Sequence, residues 1–441
     1  MTDPETAPPS SRMKLVAYLK TGPTARHPGG WRHPESRLDD ILTPERYASI
    51  ARTLEQAKFD GCFFADLFGL YDIHAGGPDA YVRRGGQISW LDPMVVLPVM
   101  AAATTRLGLG ATLSTSLHTP YHLARWLGSL DAMSGGRAAW NVVTSATELE
   151  AKNAGMDALP PRELRYDRAD EVLEACCKLW ESWDPDPFVL DKENGVFADA
   201  EKVHYANYEG AFVKTRGPLS VPRSAQGRPV IMQAGASDRG REFAARWAEA
   251  VFTIQRDEAD MRAFRDDLHA RMAAFGRAPE TCKVLTAVSV VIGETPSIAR
   301  ARADYLQGLV DMELSAASLS SNLGADITRI KDISELAAAQ GAQGMKGSEQ
   351  LLAQEMKATG RSFTEVASRN AENEIVGTPA AIADHLQHLF ESGACDGFVV
   401  SPTHFPGMFE EFCRAVVPEL QRRGVFRKEY RGATLREHLT E

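Results

Sequence analysis

Hydroxyl and amide side chains gather where apolar segments of this sequence end. The apolar and β-branched run Ala138–Val143 predicts a strand that is buried on both faces, and two glycines mark its start. Asn141, Thr144 and Ser145 lie at or just after its end and carry no charge. Such a strand end could line a flat cofactor that is rich in hydrogen-bonding groups, such as a flavin. The same residues could instead only cap the strand and begin the next loop.

Three further side chains have the chemistry of a phosphate site. Ser237 stands where a helix would begin after Gly235 and Ala236, and the free backbone N–H groups of a helix start bind anions. Arg162 and Tyr166 are one helical turn apart and can point the same way. A guanidinium, a phenol and a helix start together suit a phosphate. A plain serine cap and a solvated surface arginine would explain the same residues.

The sequence lacks the motifs of several other kinds of site. It contains no GxGxxG after its first strand and no Walker-type phosphate loop, so no nucleotide fingerprint is predicted. It also has no GxSxG elbow and no HExxH pair. Its six cysteines form no CxxC pair, and His118 and His122 have no third ligand at motif spacing. We therefore predict no metal site and no disulfide framework.

The elements that position these groups alternate along the chain. Eight apolar segments are separated by stretches with helix signals, several of them Thr-Pro or Asp-Pro starts. This alternation predicts an α/β fold of parallel strands and helices, and eight units favour a closed (β/α)8 barrel, or TIM barrel. The carboxyl ends of all barrel strands meet at one face, which would bring Asp66 and Thr112 beside the groups above. The predicted strands are 14–19, 61–66, 107–114, 138–143, 229–235, 250–254, 284–293 and 397–402.

The chain is predicted to form one barrel domain over residues 14–441 with two long insertions. The first, at about 183–228, carries the aromatic and turn-forming residues typical of an ordered extension. The second, at about 314–374, carries glycines among small and polar residues, which favours a lid over the active site. The acidic, proline-bearing segment 1–13 has no apolar core and is predicted to be a disordered leader rather than a signal peptide.

Composition and charge exclude several classes of protein. The 49 basic and 59 acidic residues give a net charge of -10, so no basic field would attract nucleic acid. No run of about 18 apolar residues is present, so no membrane span is predicted. With a hydrophobic fraction of 44%, the composition is that of an ordinary globular enzyme, and the cysteine usage fits the cytoplasm.

Several motifs carry a resemblance to a known family. WNVVTS with the preceding SGGR, LRYDRADE and QAGASDRGREFAARWAEAVF resemble segments of the bacterial luciferase-like flavin monooxygenases. The branch they resemble contains nitrilotriacetate, pristinamycin and dibenzothiophene-sulfone monooxygenases. KFDGCFFAD, RGPLSVPRSAQGRPV and FRKEYRGATLREHL are most similar to the dibenzothiophene-sulfone type. The resemblance runs from about residue 14 to residue 439.

The resemblance implies a cofactor and a mode of binding. Reduced FMN and O2 would be the co-substrates, with a separate NAD(P)H:flavin reductase as partner and a homodimer or homotetramer as assembly. Asp66 and Thr112 would lie beside the ring, and Ser237 would lie towards the phosphate. Arg162 stands where several relatives carry a histidine, and either cation can neutralise phosphate. The full predicted cofactor set is Asp66, Thr112, Asn141, Ser145, Arg162, Tyr166, Gly235, Ala236 and Ser237.

The substrate is predicted from the aromatic residues near the strand ends. Phe64, Phe68, Trp140 and Phe252 could form an apolar pocket, although each could equally belong to the barrel core. Asn322 stands where relatives often place a lid histidine. Few cations are visible at the strand ends, so we expect a small, neutral or weakly charged aromatic or organosulfur compound, with cleavage of a C–S bond. An aminopolycarboxylate monooxygenase that cleaves C–N bonds and a non-catalytic flavin-binding barrel are the alternatives.

Overall fold

Parallel strands form the centre of the protein and helices surround them. The computed structural model describes residues 12–24, 26–235, 237–255, 257–330, 335, 356 and 374–441. Its strands are β1 Lys14–Leu19, β2 Gly61–Phe64, β3 Gly108–Ser114, β4 Ala138–Val143, β5 Phe188–Asp191, β6 Val196–Ala198, β7 Tyr208–Glu209, β8 Lys214–Thr215, β9 Val230–Gln233, β10 Ala250–Thr253, β11 Lys283–Ile292, β12 Glu374–Gly377 and β13 Gly397–Val400.

Eight of these strands close into a barrel. They pair in parallel in the order β1, β2, β3, β4, β9, β10, β11 and β13, and β13 returns to β1 with Lys14 opposite Gly397. The predicted (β/α)8 fold is therefore confirmed. β2 ends two residues earlier than predicted, at Phe64, so Asp66 lies in the loop that follows it. The long β11 also pairs with β12, outside the barrel.

Two of the predicted capping residues, Asp92 and Ser237, form capping hydrogen bonds, whereas the side chain of Thr43 precedes its helix without forming one. Asp92 accepts a hydrogen bond from the backbone N–H of Met94, and Ser237 accepts one from Gly240. No helix among the described residues has the length and apolar character needed to cross a membrane. The described α-helices are Pro44–Gln56, Asp79–Arg83, Pro93–Ala103, Pro120–Ser134, Glu148–Asn153, Arg162–Trp180, Asp238–Trp247, Glu258–Ala274, Pro296–Gly308, Met312–Leu323, Pro379–Glu391, Gly407–Ala415, Val417–Arg422 and Leu435–Thr440.

Alternating residues of the strands divide the core into two layers. One set faces the barrel interior, where the rings of Phe63 and Phe252 stack with 4.5 Å between centroids. The other set packs against the helices; Phe64 lies 6.1 Å from the ring of Tyr47, on the helix Pro44–Gln56. This alternation follows from the two-residue period of a strand. It decides which side chains can reach a ligand inside the barrel.

The amino-terminal end of the barrel is held by the C-terminal tail. Arg427 donates a 2.6 Å hydrogen bond to the Asp60 carboxylate, and both side chains are fully buried. The second oxygen of Asp60 accepts from the backbone N–H of Leu15 at 2.8 Å. The ammonium group of Lys14 donates to the carbonyl of His438, and burial lowers its pKa to about 8. This end of the barrel is therefore stabilised by polar groups that have no access to a ligand.

The structure adds detail to the two insertions. Within 183–228, β5 pairs with β6 and β7 with β8, and the side chains of Val213 and Leu219 reach the main core. The described start of the second insertion continues the helix Met312–Leu323, whose Leu314 packs beside Tyr81. Most of the lid predicted at 314–374 lies outside the described residues, as do residues 1–11 of the predicted leader.

Candidate functional site

Thr112 and Asn141 lie opposite each other on neighbouring strands, inside the barrel and near its carboxyl-terminal end. The amide nitrogen Nδ2 of Asn141 donates to the hydroxyl of Thr112 at 2.8 Å. The amide oxygen Oδ1 of Asn141 is buried and accepts no hydrogen bond from the described residues. A buried acceptor without a donor is unfavourable unless a ligand supplies one. This pair of residues therefore fits a ring that carries an N–H group.

Ser145 is held by protein groups at the exit of β4. Its backbone has a φ of 58°, which is uncommon for a residue with a side chain. Its hydroxyl lies 2.8 Å from the Ser114 hydroxyl and 3.2 Å from the Glu150 carboxylate. Glu150, which the sequence analysis does not identify, is buried and also forms the capping box with Thr147. Ser145 thus holds a strained backbone conformation beside the barrel mouth.

Asp66 lies beyond the end of β2 and is partly buried. Burial raises the pKa of its carboxyl group, and the nearby charge of Lys20 opposes this shift. The carboxylate is thus close to a cation but not in contact with it. Asp66 therefore lies at the barrel mouth, in the loop that follows β2.

Two hydroxyl groups converge on the first turn of the helix Asp238–Trp247. The Ser237 hydroxyl accepts from the backbone N–H of Gly240 at 3.2 Å. A methyl group added to Gly240 would lie 2.9 Å from the Ser237 hydroxyl and 3.1 Å from the Tyr166 hydroxyl. The guanidinium carbon of Arg162 lies 5.8 Å from the centre of the Tyr166 ring. The structure thus brings together Arg162, Tyr166 and Ser237, which the sequence predicts as phosphate ligands.

Gly235 and Arg239 complete the surroundings of this helix start. Gly235 is buried, and its backbone N–H donates to the side chain of Gln233 at 2.9 Å. Arg239 lies 5.3 Å from the Tyr166 ring centre and donates to Asp170 at 2.6 Å. The sequence analysis does not identify Arg239. Its place in the first turn of the helix that begins after Ser237 could have indicated that it lies near the predicted phosphate site. Ala236, which was predicted with this group, lies outside the described residues.

The structure separates the predicted aromatic pocket residues. Phe252 faces the barrel interior, but Phe64 and Trp140 face the helices; Trp140 is fully buried, 6.4 Å from the ring of Trp180. Neither of these two side chains can line an interior pocket, because the strand alternation turns them outward. Phe63 takes that place instead. The run GCFFAD is apolar at four of its six positions, so its sequence does not reveal which phenylalanine points inward.

The two other predicted substrate residues are Phe68, in the loop after β2, and Asn322, near the end of the helix Met312–Leu323. Phe68 has 44% of its surface exposed, and its ring lies 6.3 Å from that of His118. The amide oxygen of Asn322 accepts a 2.8 Å hydrogen bond from the hydroxyl of Tyr71. Asn322 is thus already engaged by a buried phenol, for which burial raises the pKa.

The structure corrects the expectation that cations are scarce at the strand ends. Lys20 follows β1 with only 6% of its surface exposed, and the guanidinium carbon of Arg26 lies 5.5 Å from the Tyr18 ring centre. Burial lowers the pKa of Lys20 to about 8, while the charge of Asp66 raises it. The alternation of Val16, Tyr18 and Lys20 along one face of β1 is a signal that could have revealed the inward lysine.

A cluster of possible metal ligands lies apart from these groups. His33, Glu35 and His404 each offer a ligand atom within 4.8 Å of the others, and the two imidazoles stack at 3.9 Å. His404 Nε2 lies 3.2 Å from the Glu35 carboxylate, and the Glu35 backbone N–H donates to His33 Nδ1. The nitrogens that face Glu35 are therefore already hydrogen-bonded. The sequence does not reveal this cluster, because His404 is far along the chain from His33 and Glu35.

Comparison with known proteins identifies the family. Residues 24–396 match the model of the luciferase-like monooxygenases. The chain is 44% identical over 442 residues to dibenzothiophene-sulfone monooxygenase of Rhodococcus erythropolis, which covers 97% of this chain and 96% of the relative. It is 40% identical over 422 residues to nitrilotriacetate monooxygenase component A of Aminobacter aminovorans, with 94% and 93% covered.

A solved structure agrees with this assignment. A riboflavin lyase determined with a modified FMN and its substrate riboflavin has a TM-score of 0.90 and 32% sequence identity to this chain. The match covers 98% of this chain and 96% of that one. The resemblance found in the sequence motifs is thus confirmed. The chain belongs to the luciferase-like monooxygenase family and is a flavin-dependent oxidoreductase of that family.

Proposed function

We propose that this chain is the oxygenase component of a two-component system that uses reduced FMN and O2. The observation that carries the proposal is the spatial order of the polar groups. Ser237 and Tyr166 offer hydroxyls over a helix start next to β9, and Asn141 on the adjacent β4 offers a buried acceptor without a donor. A phosphate and a hydrogen-bonding ring, joined by a short linker, would satisfy both.

Each group has a distinct role in this proposal. Ser237, Tyr166 and the first turn of the helix would hold the phosphate, with Arg162 supplying positive charge. Thr112 and Asn141 would fix the ring, since the Thr112 hydroxyl accepts from Asn141 and keeps its own proton to donate. Asp66 would lie beside the ring. Bound reduced FMN would supply the electrons that activate O2, and the buried walls of the barrel would exclude water.

A separate NAD(P)H:flavin reductase is proposed to supply the reduced FMN. The sequence has no dinucleotide fingerprint with which to bind a nicotinamide cofactor. One relative is itself named as component A of nitrilotriacetate monooxygenase, which indicates a multi-component enzyme there. On this basis the protein should bind oxidised FMN weakly and reduced FMN more tightly. Anaerobic and aerobic FMN titrations test this expectation, and equal affinities would argue against it.

We further propose that the substrate is a small aromatic or organosulfur compound in which a carbon–heteroatom bond is cleaved, preferably C–S in a sulfone. The 44% identity to a dibenzothiophene-sulfone monooxygenase supports the bond type. The interior ring stack of Phe63 and Phe252, with Tyr18 5.5 Å from Phe63, supports an aromatic substrate. These three rings form an aromatic wall inside the barrel, in which Phe252 of β10 reaches across the interior to Phe63 of β2.

Turnover of a substrate panel tests the proposal. The protein is supplied with FMN, NADH, O2 and a flavin reductase, and product is measured from dibenzothiophene sulfone, a halogenated aromatic compound and nitrilotriacetate. We expect the sulfone to be cleaved. Turnover of nitrilotriacetate alone would favour the C–N-cleaving alternative. The positive charges of Lys20 and Arg26 at the barrel mouth support that alternative. Binding of FMN without oxygen-dependent product from any compound would favour a non-catalytic flavin-binding barrel.

A further inference from the structure

Lys20 extends the interior face of β1 to the mouth of the barrel. Val16 and Tyr18 face inward, and the backbone N–H of Ala65 still donates to the carbonyl of Leu19 at 3.0 Å, so the ladder continues past the strand end. The next residue, Thr21, bonds instead to the carbonyl of Leu91. The alternation of a strand therefore directs Lys20 inward.

The side chain of Lys20 is almost fully buried, and its ammonium group has no partner among the described residues. Only 6% of the residue is exposed, and it forms no hydrogen bond or ion pair with the described residues. Isolated buried charges are unfavourable, so they are normally paired in the finished protein. Burial lowers the pKa of Lys20 to about 8, which leaves it mostly protonated at neutral pH. Lys20 thus carries a positive charge that is not paired with any anionic group of the described residues.

The charged groups around Lys20 do not fill this position. Asp66 and Glu150 raise its pKa and Arg26 lowers it, so all three act on it through space. Glu150 is already engaged by the hydroxyls of Ser145 and Thr147. Asp66 forms no ion pair with Lys20. Among the described residues no group pairs with the ammonium group, so these residues leave its contact positions open to a ligand.

This cation is separate from the predicted phosphate site. The helix start at Ser237 follows β9, and β4, β3 and β2 lie between β9 and β1 in the barrel. A phosphate bound at Ser237 therefore lies on another part of the mouth. Lys20 instead adjoins the aromatic wall, because Tyr18 precedes it on the same face of β1.

We propose that Lys20 forms an anion-binding subsite for the substrate, which therefore carries a carboxylate or another oxyanion beside an aromatic body. The aromatic body would lie against Tyr18, Phe63 and Phe252, and the acidic group would reach the ammonium. Arg26, above the Tyr18 ring, adds a second positive charge at this side of the mouth. The proposal rests on the proposed function and narrows its substrate class to those aromatic or organosulfur compounds that carry an acidic group.

A matched pair of ligands tests this subsite. Diphenyl sulfone and 2-(phenylsulfonyl)benzoate differ by one carboxylate, and their affinities for the FMN-loaded protein are measured by calorimetry. We expect the carboxylate to bind at least about tenfold more tightly, as a charge-assisted hydrogen bond allows. The preference should disappear in Lys20→Met and remain in Lys20→Arg. Lys192→Met, at an exposed lysine outside the barrel, should behave like the native protein.

The pH dependence of the native protein gives a test that needs no variant. Above the pKa of Lys20, the affinity advantage of the carboxylate over diphenyl sulfone should be lost as the pH rises, because only the protonated lysine attracts the carboxylate. Affinity for diphenyl sulfone should not follow this course. Equal binding of the two ligands at pH 7, or a carboxylate affinity that is constant from pH 7 to 10, would overturn the proposal.

Two further outcomes are informative. One distinguishes a cofactor anion from a substrate anion at Lys20, and the other distinguishes failure of the subsite from failure of the proposed sulfone cleavage. If Lys20→Met weakens reduced FMN about tenfold or more and keeps the carboxylate preference, the lysine serves the cofactor and the subsite is refuted. If the carboxylate preference is present but no product forms from either sulfone with reduced FMN and O2, the subsite stands and the proposed sulfone cleavage fails.

Discussion

The side chain of Asn141 donates to the hydroxyl of Thr112 across the β3–β4 pair at 2.8 Å. This bond orients the Asn141 amide so that its oxygen is buried without a donor. Two residues that are 29 positions apart thus prepare one acceptor inside the barrel. The pair can be perturbed separately and together, which distinguishes its structural role from its proposed role in holding the ring.

The single substitution Thr112→Val should destabilise the protein by about 1–3 kcal/mol, because the buried amide of Asn141 loses its acceptor. The double substitution Thr112→Val with Asn141→Leu should be closer to native stability, since neither polar group then remains unsatisfied. Both variants should lose FMN affinity. Urea denaturation and FMN titration measure the two effects. Native FMN affinity in the double variant would show that the ring does not bind at this pair.

The substitutions Ser237→Ala and Tyr166→Phe should each weaken FMN binding by about 1–2 kcal/mol, because each removes one hydrogen bond to a charged group. Arg162→Ala should cost more, since it also removes a positive charge. Riboflavin, which lacks the phosphate, is the control ligand in the same titrations. An equal loss of riboflavin affinity across the three variants would refute the phosphate assignment.

Gly240→Ala should weaken FMN binding because the added methyl group would crowd the hydroxyls of Ser237 and Tyr166. An ordinary glycine to alanine change within a helix stabilises it by about 0.5–1 kcal/mol. Gly308→Ala is the matched control, because a methyl group there meets nothing within 4 Å. We expect the control to bind FMN normally. Normal FMN binding by Gly240→Ala would indicate that the cofactor does not use this helix start.

Arg427→Met should destabilise the protein by about 3–5 kcal/mol, because it leaves the Asp60 carboxylate buried without its cation. Asp60 and Arg427 are both fully buried, 2.6 Å apart. Arg422→Met removes an exposed pair with Glu419 and should change stability little. Urea denaturation of the two variants gives the comparison. FMN affinity of the folded Arg427→Met protein should be native, since the pair lies at the other end of the barrel.

Much of the fold follows from local sequence patterns. The eight apolar runs and the capping residues between them predict the (β/α)8 barrel, and the structure confirms it. The same reasoning places Asn141, Thr112 and Ser237 at the carboxyl-terminal face, because strand ends of a barrel share one face. These inferences succeed because strand length, helix caps and βα alternation are encoded over short stretches of chain.

Tertiary structure decides which side chains face the ligand. In β2 both Phe63 and Phe64 satisfy the pattern of a buried strand, and only pairing with β1 and β3 turns Phe63 inward. Trp140 faces the helices for the same reason. A buried parallel strand is apolar on both faces, so its composition carries no information on direction.

The electrostatics of the molecule likewise depend on contacts between distant residues. Lys20 is an ordinary lysine in the sequence, and only the closed barrel buries its side chain beside the aromatic wall. Asp60 and Arg427 are 367 positions apart and meet only because the tail returns to the amino-terminal end of the barrel. The sequence by itself determined the elements and the residue types at their ends. Burial and the direction of side chains were decided by barrel closure, because desolvation depends on everything packed around a group.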